Sequence, residues 1–183
     1  MALSLPETAV LIASALLDHD VRAMRRINDR CIEETAIKFE SSTYLFALIS
    51  YVLSKIISKP RYYKQKKSKD ALSALSLSLR LCEQQAKNAD YTGLTATQNK
   101  ILTSIEKMDQ ADQRFVKGII TKGKLKIAST LYAQGISLGN AAEMTGTDKR
   151  EVLLYAGQTM MFDRLKEKRS MDERMKDLRE IFS

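Results

Sequence analysis

Residues 124–159 read KLKIASTLYAQGISLGNAAEMTGTDKREVLLYAGQT, and this stretch decides the fold. Its apolar residues recur three or four positions apart, which is typical of helices. The spacing predicts a first helix over about residues 124–134 that ends at Gly135, because glycine suits the left-handed conformation that follows a helix. Ser137 can cap a short second helix that runs through Met144.

The next few residues predict a sharp turn and a third helix. Gly146 permits a positive φ at the bend. Thr147 or Asp148 then caps the following helix, and Asp148 with Glu151 forms a D-x-x-E capping box. Two helices joined by a short turn that contains glycine are the description of a helix-turn-helix, and we predict that fold for this segment.

The segment resembles the helix-turn-helix superfamily of DNA-binding proteins. The superfamily pattern has a small residue in the first helix, glycine four positions later and a branched apolar residue six beyond that. Ala142, Gly146 and Val152 supply these three residues. The segment is also similar to helix-turn-helix antitoxins of prokaryotic toxin–antitoxin systems and to uncharacterised archaeal helical proteins. The antitoxin core is represented by Gly135, Ser137, Gly139, Ala141, Ala142, Glu143 and Gly146.

The resemblance implies that the second helix of the pair enters the major groove of DNA, with its first residues on bases and phosphates. Thr147, Lys149 and Arg150 occupy that start. One turn later, where a polar side chain is expected, the chain has Leu153 and Leu154. Two leucines suit thymine methyl groups, and they suit another protein surface equally well.

The net charge of +8 is concentrated in two segments. Residues 59–69 (KPRYYKQKKSK) carry a net charge of +6, and residues 113–142 carry +5. Such clusters are what an anionic partner requires, although a solvated surface is the competing interpretation. The candidate phosphate contacts of the second segment are Lys122, Lys124 and Lys126. The candidate nucleic-acid contacts of the first segment, where tyrosines can stack on bases, are Arg61, Tyr62, Tyr63, Lys64, Lys66 and Lys67.

Outward from residues 124–159, helical spacing continues in both directions and predicts an all-α fold. Predicted helices begin at Ser4, near Asp20, at Ser41 or Ser42, at Asp70 and at Thr95, with Pro60 and residues 88–93 as breaks. We expect an N-terminal helical bundle (1–92) and a second domain (93–183) that contains the helix-turn-helix. A capping box at Ser170 predicts that a helical hairpin ends the chain.

Composition argues against several functional classes. One histidine and two distant cysteines do not supply a metal site or a nucleophile–base pair, and no phosphate-binding glycine motif occurs, so we expect no enzyme and no cofactor. The start lacks a basic signal region. The longest apolar run, residues 44–57, is shorter than the roughly 20 residues of a membrane span. We expect a cytoplasmic protein without a membrane partner.

Three functions remain open. The first is a regulator of transcription that binds duplex DNA, resembles an antitoxin and forms a homodimer. The second is an adaptor that uses the helix-turn-helix, through Leu153 and Leu154, for contact with a protein partner. The third is RNA binding through the basic segment 59–69. The structural fact that most affects the choice among them is whether the two leucines are exposed.

Overall fold

The computed structural model describes residues 4–59, 66–110 and 118–164. The described residues form helices and no strand, which confirms the all-α prediction. The hairpin predicted near Ser170 lies outside the described residues. The helices are α1 (Leu5–Leu17), α2 (Val21–Ile37), α3 (Ser41–Ile57), α4 (Lys66–Lys87), α5 (Tyr91–Gln110), α6 (Ile119–Ala133), α7 (Leu138–Thr145), α8 (Lys149–Gln158) and α9 (Met161–Arg164).

Side-chain caps begin the first two helices where the sequence predicts them. The backbone N–H of Ser4 donates to the Glu7 carboxylate at 3.0 Å, and the N–H of Glu7 donates to Ser4 Oγ at 3.4 Å, which completes the capping box. Asp20 accepts hydrogen bonds from the N–H groups of Arg22 and Ala23, each at 2.9 Å. These bonds satisfy helix N–H groups that have no partner within the helix.

Three helices begin earlier than predicted, and one of them is α6, which begins at Ile119 rather than near Lys124. α4 begins at Lys66 rather than at Asp70, because lysine is a good helix former and three of the four residues before Asp70 are lysines. α5 begins at Tyr91 rather than at Thr95. The reason is Asp90, whose carboxylate accepts a hydrogen bond from the N–H of Gly93 at 2.9 Å. Gly93 therefore lies in the first turn of α5 and not in the break before it.

α3 is the central helix of the fold and is buried along nearly its whole length. It contacts α1, α2, α5 and α6, and Phe46, Leu48 and Leu53 are fully buried among them. Asn28 of α2 donates a buried hydrogen bond of 2.7 Å to the carbonyl oxygen of Ala47. In the described residues the apolar core continues from α1 to α7, across residue 93.

α6 attaches the helix-turn-helix segment to α3 by a close helix crossing. A Cβ atom on Gly123 would lie 2.8 Å from Leu48 Cδ1 and 3.0 Å from Tyr51 Cδ1, so only glycine allows this approach without rearrangement. A second link comes from Tyr44 of α3, whose hydroxyl donates to the carbonyl oxygen of Thr145 at 3.2 Å. The crossing and the hydrogen bond together fix α6 and α7 against the bundle.

Candidate nucleic-acid interface

α6, α7 and α8 enclose a small apolar core of their own. It consists of Leu125, Ala128, Ala142 and Val152, all buried. Ala142 is 3% exposed and Val152 is fully buried, so the two positions that the pattern reserves for a small and a branched residue both lie between the helices. A larger side chain at Ala142 would separate α7 from its neighbours.

The ends of α7 and α8 agree with the caps predicted from the sequence. Ser137 Oγ accepts from the N–H of Asn140 at 3.2 Å at the start of α7. Gly146 ends α7 with φ 60° and ψ 44°, in the left-handed region. Asp148, rather than Thr147, caps α8, since its carboxylate accepts from the N–H groups of Arg150 and Glu151 at 2.8 and 3.3 Å. Three residues thus connect the helices.

Gly146→Ala is expected to lower the free energy of unfolding by about 1–2 kcal/mol, because a Cβ atom is strained in the left-handed region. No neighbouring atom lies within 4 Å of the added Cβ, so the cost is conformational rather than steric. Gly146→Asn should lower the free energy of unfolding by less, because asparagine tolerates this conformation better than alanine does. Urea denaturation measures both variants. Equal stability of Gly146→Ala and the wild type would show that the turn does not require a positive φ.

The start of α8 forms one wall of an open cleft of about 570 Å³, with α7 as the other wall. Lys149 and Arg150 are exposed, and Thr147 is half-buried with its hydroxyl 2.8 Å from that of Thr145. The ammonium of Lys149 lies over α7, 3.6 Å from the point where Gly139 would carry a Cβ atom. A Cβ atom at position 139 would be in ordinary van der Waals contact with this lysine. The cleft is lined by Gly139, Asn140, Ala142, Glu143, Thr147, Asp148, Lys149 and Arg150.

Asn140 also lines this cleft and was not among the residues predicted for the site. Its polar side chain, three positions after the Ser137 cap, was a sequence signal for an exposed position. Glu143 is also exposed in the cleft. The carboxylate of Asp148 would repel a phosphate, but it accepts two backbone hydrogen bonds at the positive end of α8. Its charge is therefore partly compensated within the protein.

The three lysines of α6 do not share one face. Residues two positions apart lie on nearly opposite sides of a helix, so Lys124 faces away from Lys122 and Lys126. Lys124 lines a cleft beside the α7–α8 turn. The ammonium of Lys126 lies 3.8 Å from Met161 Sδ, while Lys122 is exposed. Only Lys124 of the three is placed beside the turn, so the lysines cannot bind phosphates as one group.

Lys126 also affects the pKa of a carboxyl group on α2. Burial raises the pKa of Asp29, while the charge of Lys126 lowers it. The charge of Lys126, which is itself half-buried beside Met161, therefore favours the ionised form of the Asp29 carboxylate on α2. This placement favours a structural contribution from Lys126 over a phosphate contact.

Apolar side chains are exposed after the basic start of α8. Leu153 is 52% exposed and Leu154 is 62% exposed. Met160 and Phe162 follow at 67% and 50%, and the Phe162 ring packs edge-on against Tyr132 with centroids 5.2 Å apart. Both leucines are therefore available to a partner, whether DNA or protein.

The basic segment 59–69 is described only at its ends. Arg61, Tyr62, Tyr63 and Lys64 lie outside the described residues. Lys66 and Lys67 belong to the first turn of α4. The stacking of Tyr62 and Tyr63 on bases stays a prediction.

Membrane insertion, metal binding and thiol chemistry each depend on features of the described part of the chain. No helix there is long and apolar enough to cross a membrane, and no three His, Cys, Asp or Glu side chains lie close enough to hold a metal ion. Burial raises the pKa of both Cys31 and Cys82 to about 12, so each thiol is protonated near neutral pH. Comparisons of the chain with protein-family models, with curated proteins and with solved structures found no match.

Proposed function

We propose that this protein is a DNA-binding regulator that docks the start of α8 into the major groove of duplex DNA. The observation that carries the proposal is the exposed pair Lys149 and Arg150, at the capped start of α8 and on an open cleft. Arginine and lysine are the side chains that most often bind guanine edges and phosphates. A helix that presents them at its first turn suits the groove of B-DNA.

The support of α8 favours this function. The helix rests on a buried contact, Val152 with Ala142, and its start is fixed by the Asp148 cap. A contact residue on a rigid, capped helix loses less conformational freedom on binding than one on a loop. Thr147 adds a hydroxyl next to the same surface, held by contact with Thr145. In this antitoxin-like regulator the N-terminal helices are then available for dimerisation or for a partner.

Titration of the purified full chain with nucleic acid tests the proposal. Fluorescence anisotropy is measured with labelled mixed-sequence duplex DNA and with single-stranded RNA, at low and at physiological salt. The expected result is duplex binding that weakens steeply as salt rises, because phosphate contacts release counterions. A preference for the single strand would instead favour the segment that contains Tyr62 and Tyr63. Absence of binding at low salt would refute both nucleic-acid functions.

A second candidate function is supported by the exposure of Leu153 and Leu154. In this alternative the helix-turn-helix is an adaptor, and the leucines pack against a protein partner or a second copy. Apolar side chains at the centre of an interface contribute most of its binding energy. The alternative requires no affinity for DNA, so the titration above separates it from the first.

Under the adaptor alternative, Leu154→Lys is expected to weaken self-association by about tenfold or more, since a buried lysine charge costs more than the about 1.4 kcal/mol that this factor represents. Sedimentation velocity over a concentration series measures the effect. Leu77→Lys is the matched control, because Leu77 is similarly exposed, at 65%, on α4. Equal association of the Leu154→Lys variant, the control and the wild type would refute a dimer contact through α8.

A further inference from the structure

A second cleft lies behind the α7–α8 turn, between the bundle and the helix-turn-helix. Its volume is about 370 Å³, and it is an open cleft lined by residues of α3, α5 and α6, by the last residues of α7 and by Gly146. We call it the turn cleft. Its floor is apolar and is formed by Leu45, Leu48 and Leu102, each buried. The volume falls in the range of small-molecule sites, which is roughly 300–1,000 Å³.

Two opposite charges stand on the walls of the turn cleft. Glu106 projects from α5 and Lys124 from α6. Among the described residues neither side chain forms an ion pair, so both charges are available to a third group. Asn99 and Thr103, on the same side of α5 as Glu106, add hydrogen-bonding groups. A cleft lined by an acid, a base and apolar side chains matches a small molecule that carries both charges and an apolar substituent.

We propose that the turn cleft binds a free α-amino acid with an apolar side chain. Lys124 pairs with the carboxylate of the ligand, and Glu106 pairs with its ammonium group. The apolar substituent lies on the floor, where it gains the hydrophobic stabilisation of burial. The Asn99 side chain donates or accepts a further hydrogen bond. The Thr103 hydroxyl already donates to the Asn99 carbonyl oxygen at 3.0 Å, so it accepts from the ligand. Neither the helix-turn-helix pattern nor the charge count of the sequence predicts this site, because its residues come from four helices.

The site adjoins the backbone that positions α8. Met144, Thr145 and Gly146 form one side of the turn cleft. Tyr44, also in the lining, donates to the Thr145 carbonyl at 3.2 Å, and the Thr145 hydroxyl contacts that of Thr147 at 2.8 Å. A bound ligand therefore touches the segment that sets the position of Thr147. Coupling of the ligand to DNA binding rests on the proposed function, whereas ligand binding itself does not.

The experiment measures binding of individual L-amino acids to the full chain. Each free L-amino acid is added at millimolar concentration, and the shift in Tm is recorded. At least one amino acid with an apolar side chain is expected to raise Tm, because a ligand that binds the folded state stabilises it. Calorimetry then gives its Kd. If no apolar amino acid shifts Tm or gives binding heat, the proposal is overturned.

Variants test the two charge contacts. Lys124→Met and Glu106→Gln are each expected to raise the Kd about tenfold, which corresponds to about 1.4 kcal/mol. The N-acetyl and carboxamide derivatives of the same amino acid, which each lack one charge, should bind the wild type correspondingly less well. Lys107→Met is the control, because Lys107 is exposed beside Glu106 but does not line the cleft. Unchanged binding in both cleft variants would overturn the assignment.

A final comparison separates this proposal from the proposed function. Duplex affinity is measured with and without the amino acid that binds. A change in the Kd for duplex supports the coupling, and an unchanged Kd overturns the coupling while the amino-acid site stands. If the protein binds no duplex, the proposed function fails, and the Tm and calorimetric results still decide the turn cleft.

Discussion

Replacing both Lys149 and Arg150 with alanine is expected to weaken duplex binding by roughly tenfold or more while Tm stays unchanged. A charge-assisted contact contributes about 1.5 kcal/mol, and about 1.4 kcal/mol corresponds to a factor of ten in Kd. Loss of both contacts is therefore expected to raise the Kd by more than a factor of ten. Stability should be retained, because both side chains are exposed and the α8 cap uses backbone N–H groups and the Asp148 carboxylate.

The control for this double variant removes two positive charges from helices other than α8. Arg80→Ala with Lys100→Ala removes two exposed positive charges from α4 and α5, so both double variants have the same net charge. We expect the control to bind duplex with nearly the wild-type Kd at physiological salt. Equal weakening by the two double variants would mean that general charge attracts the DNA, and unchanged binding of the α8 variant would refute the site.

Gly123→Leu is expected to lower the free energy of unfolding by about 3 kcal/mol, at the upper end of overpacking costs. The first added atom already lies 2.8 Å from Leu48 Cδ1, and Leu48 is fully buried in the core. Tyr51 blocks the other direction, with Cδ1 3.0 Å from the same point. α6 must therefore move away from α3, which also opens the contact between the bundle and α7. Urea denaturation measures the loss.

Gly157→Ala provides the matched glycine control. Gly157 lies in α8, and no atom is within 4 Å of its added Cβ. Alanine is the better helix former by about 1 kcal/mol, so this variant should be as stable as the wild type or more stable. If Gly123→Leu unfolds at the wild-type urea midpoint, the close crossing of α6 and α3 is wrong. If Gly123→Leu fails to fold, Gly123→Ala, which adds only the Cβ atom, supplies the smaller measurable loss.

The sequence predicts helix ends well where they depend on neighbouring residues. Ser137, Gly146 and Asp148 act within three residues of their own position, and each is found in the predicted role. The starts of α4 and α5 were predicted too late, because the helix-forming residues before Asp70 and the Asp90 cap outweigh the apparent breaks. The starts of α4 and α5 depend on residues next to them in the chain. The signals for both starts are therefore present in the sequence.

The positions of side chains around α6 show a different limit of prediction from sequence. The net charge of residues 113–142 groups Lys122, Lys124 and Lys126 together because they are close in sequence. A helix distributes these three side chains around its axis. Helical spacing alone could have separated Lys124 from the other two. The position of Lys124 opposite Glu106, and the closeness of Gly123 to Leu48, depend on how distant helices pack. A single sequence contains no local signal for such contacts.

The arrangement of the candidate site could be predicted in part from the sequence. Thr147, Lys149 and Arg150 line one cleft at the start of α8, while their contact with nucleic acid stays a prediction. The exposure of Leu153 and Leu154 was left open by the sequence, because a leucine in an amphipathic helix suits either a core or an interface. The structure places both leucines on the surface, next to the basic pair. DNA and protein partners would therefore use overlapping parts of one helix.

The most direct test of the central claim compares how salt affects duplex binding by the wild type and by the Lys149→Ala, Arg150→Ala variant. Affinity for one duplex is measured over a series of salt concentrations. Each phosphate contact contributes about −0.9 to the slope of log K against log salt concentration. If both side chains bind phosphates, the slope of the variant should be shallower by up to about 2. Equal slopes together with equal affinities for the two proteins would contradict the assignment of α8 as the DNA-binding helix.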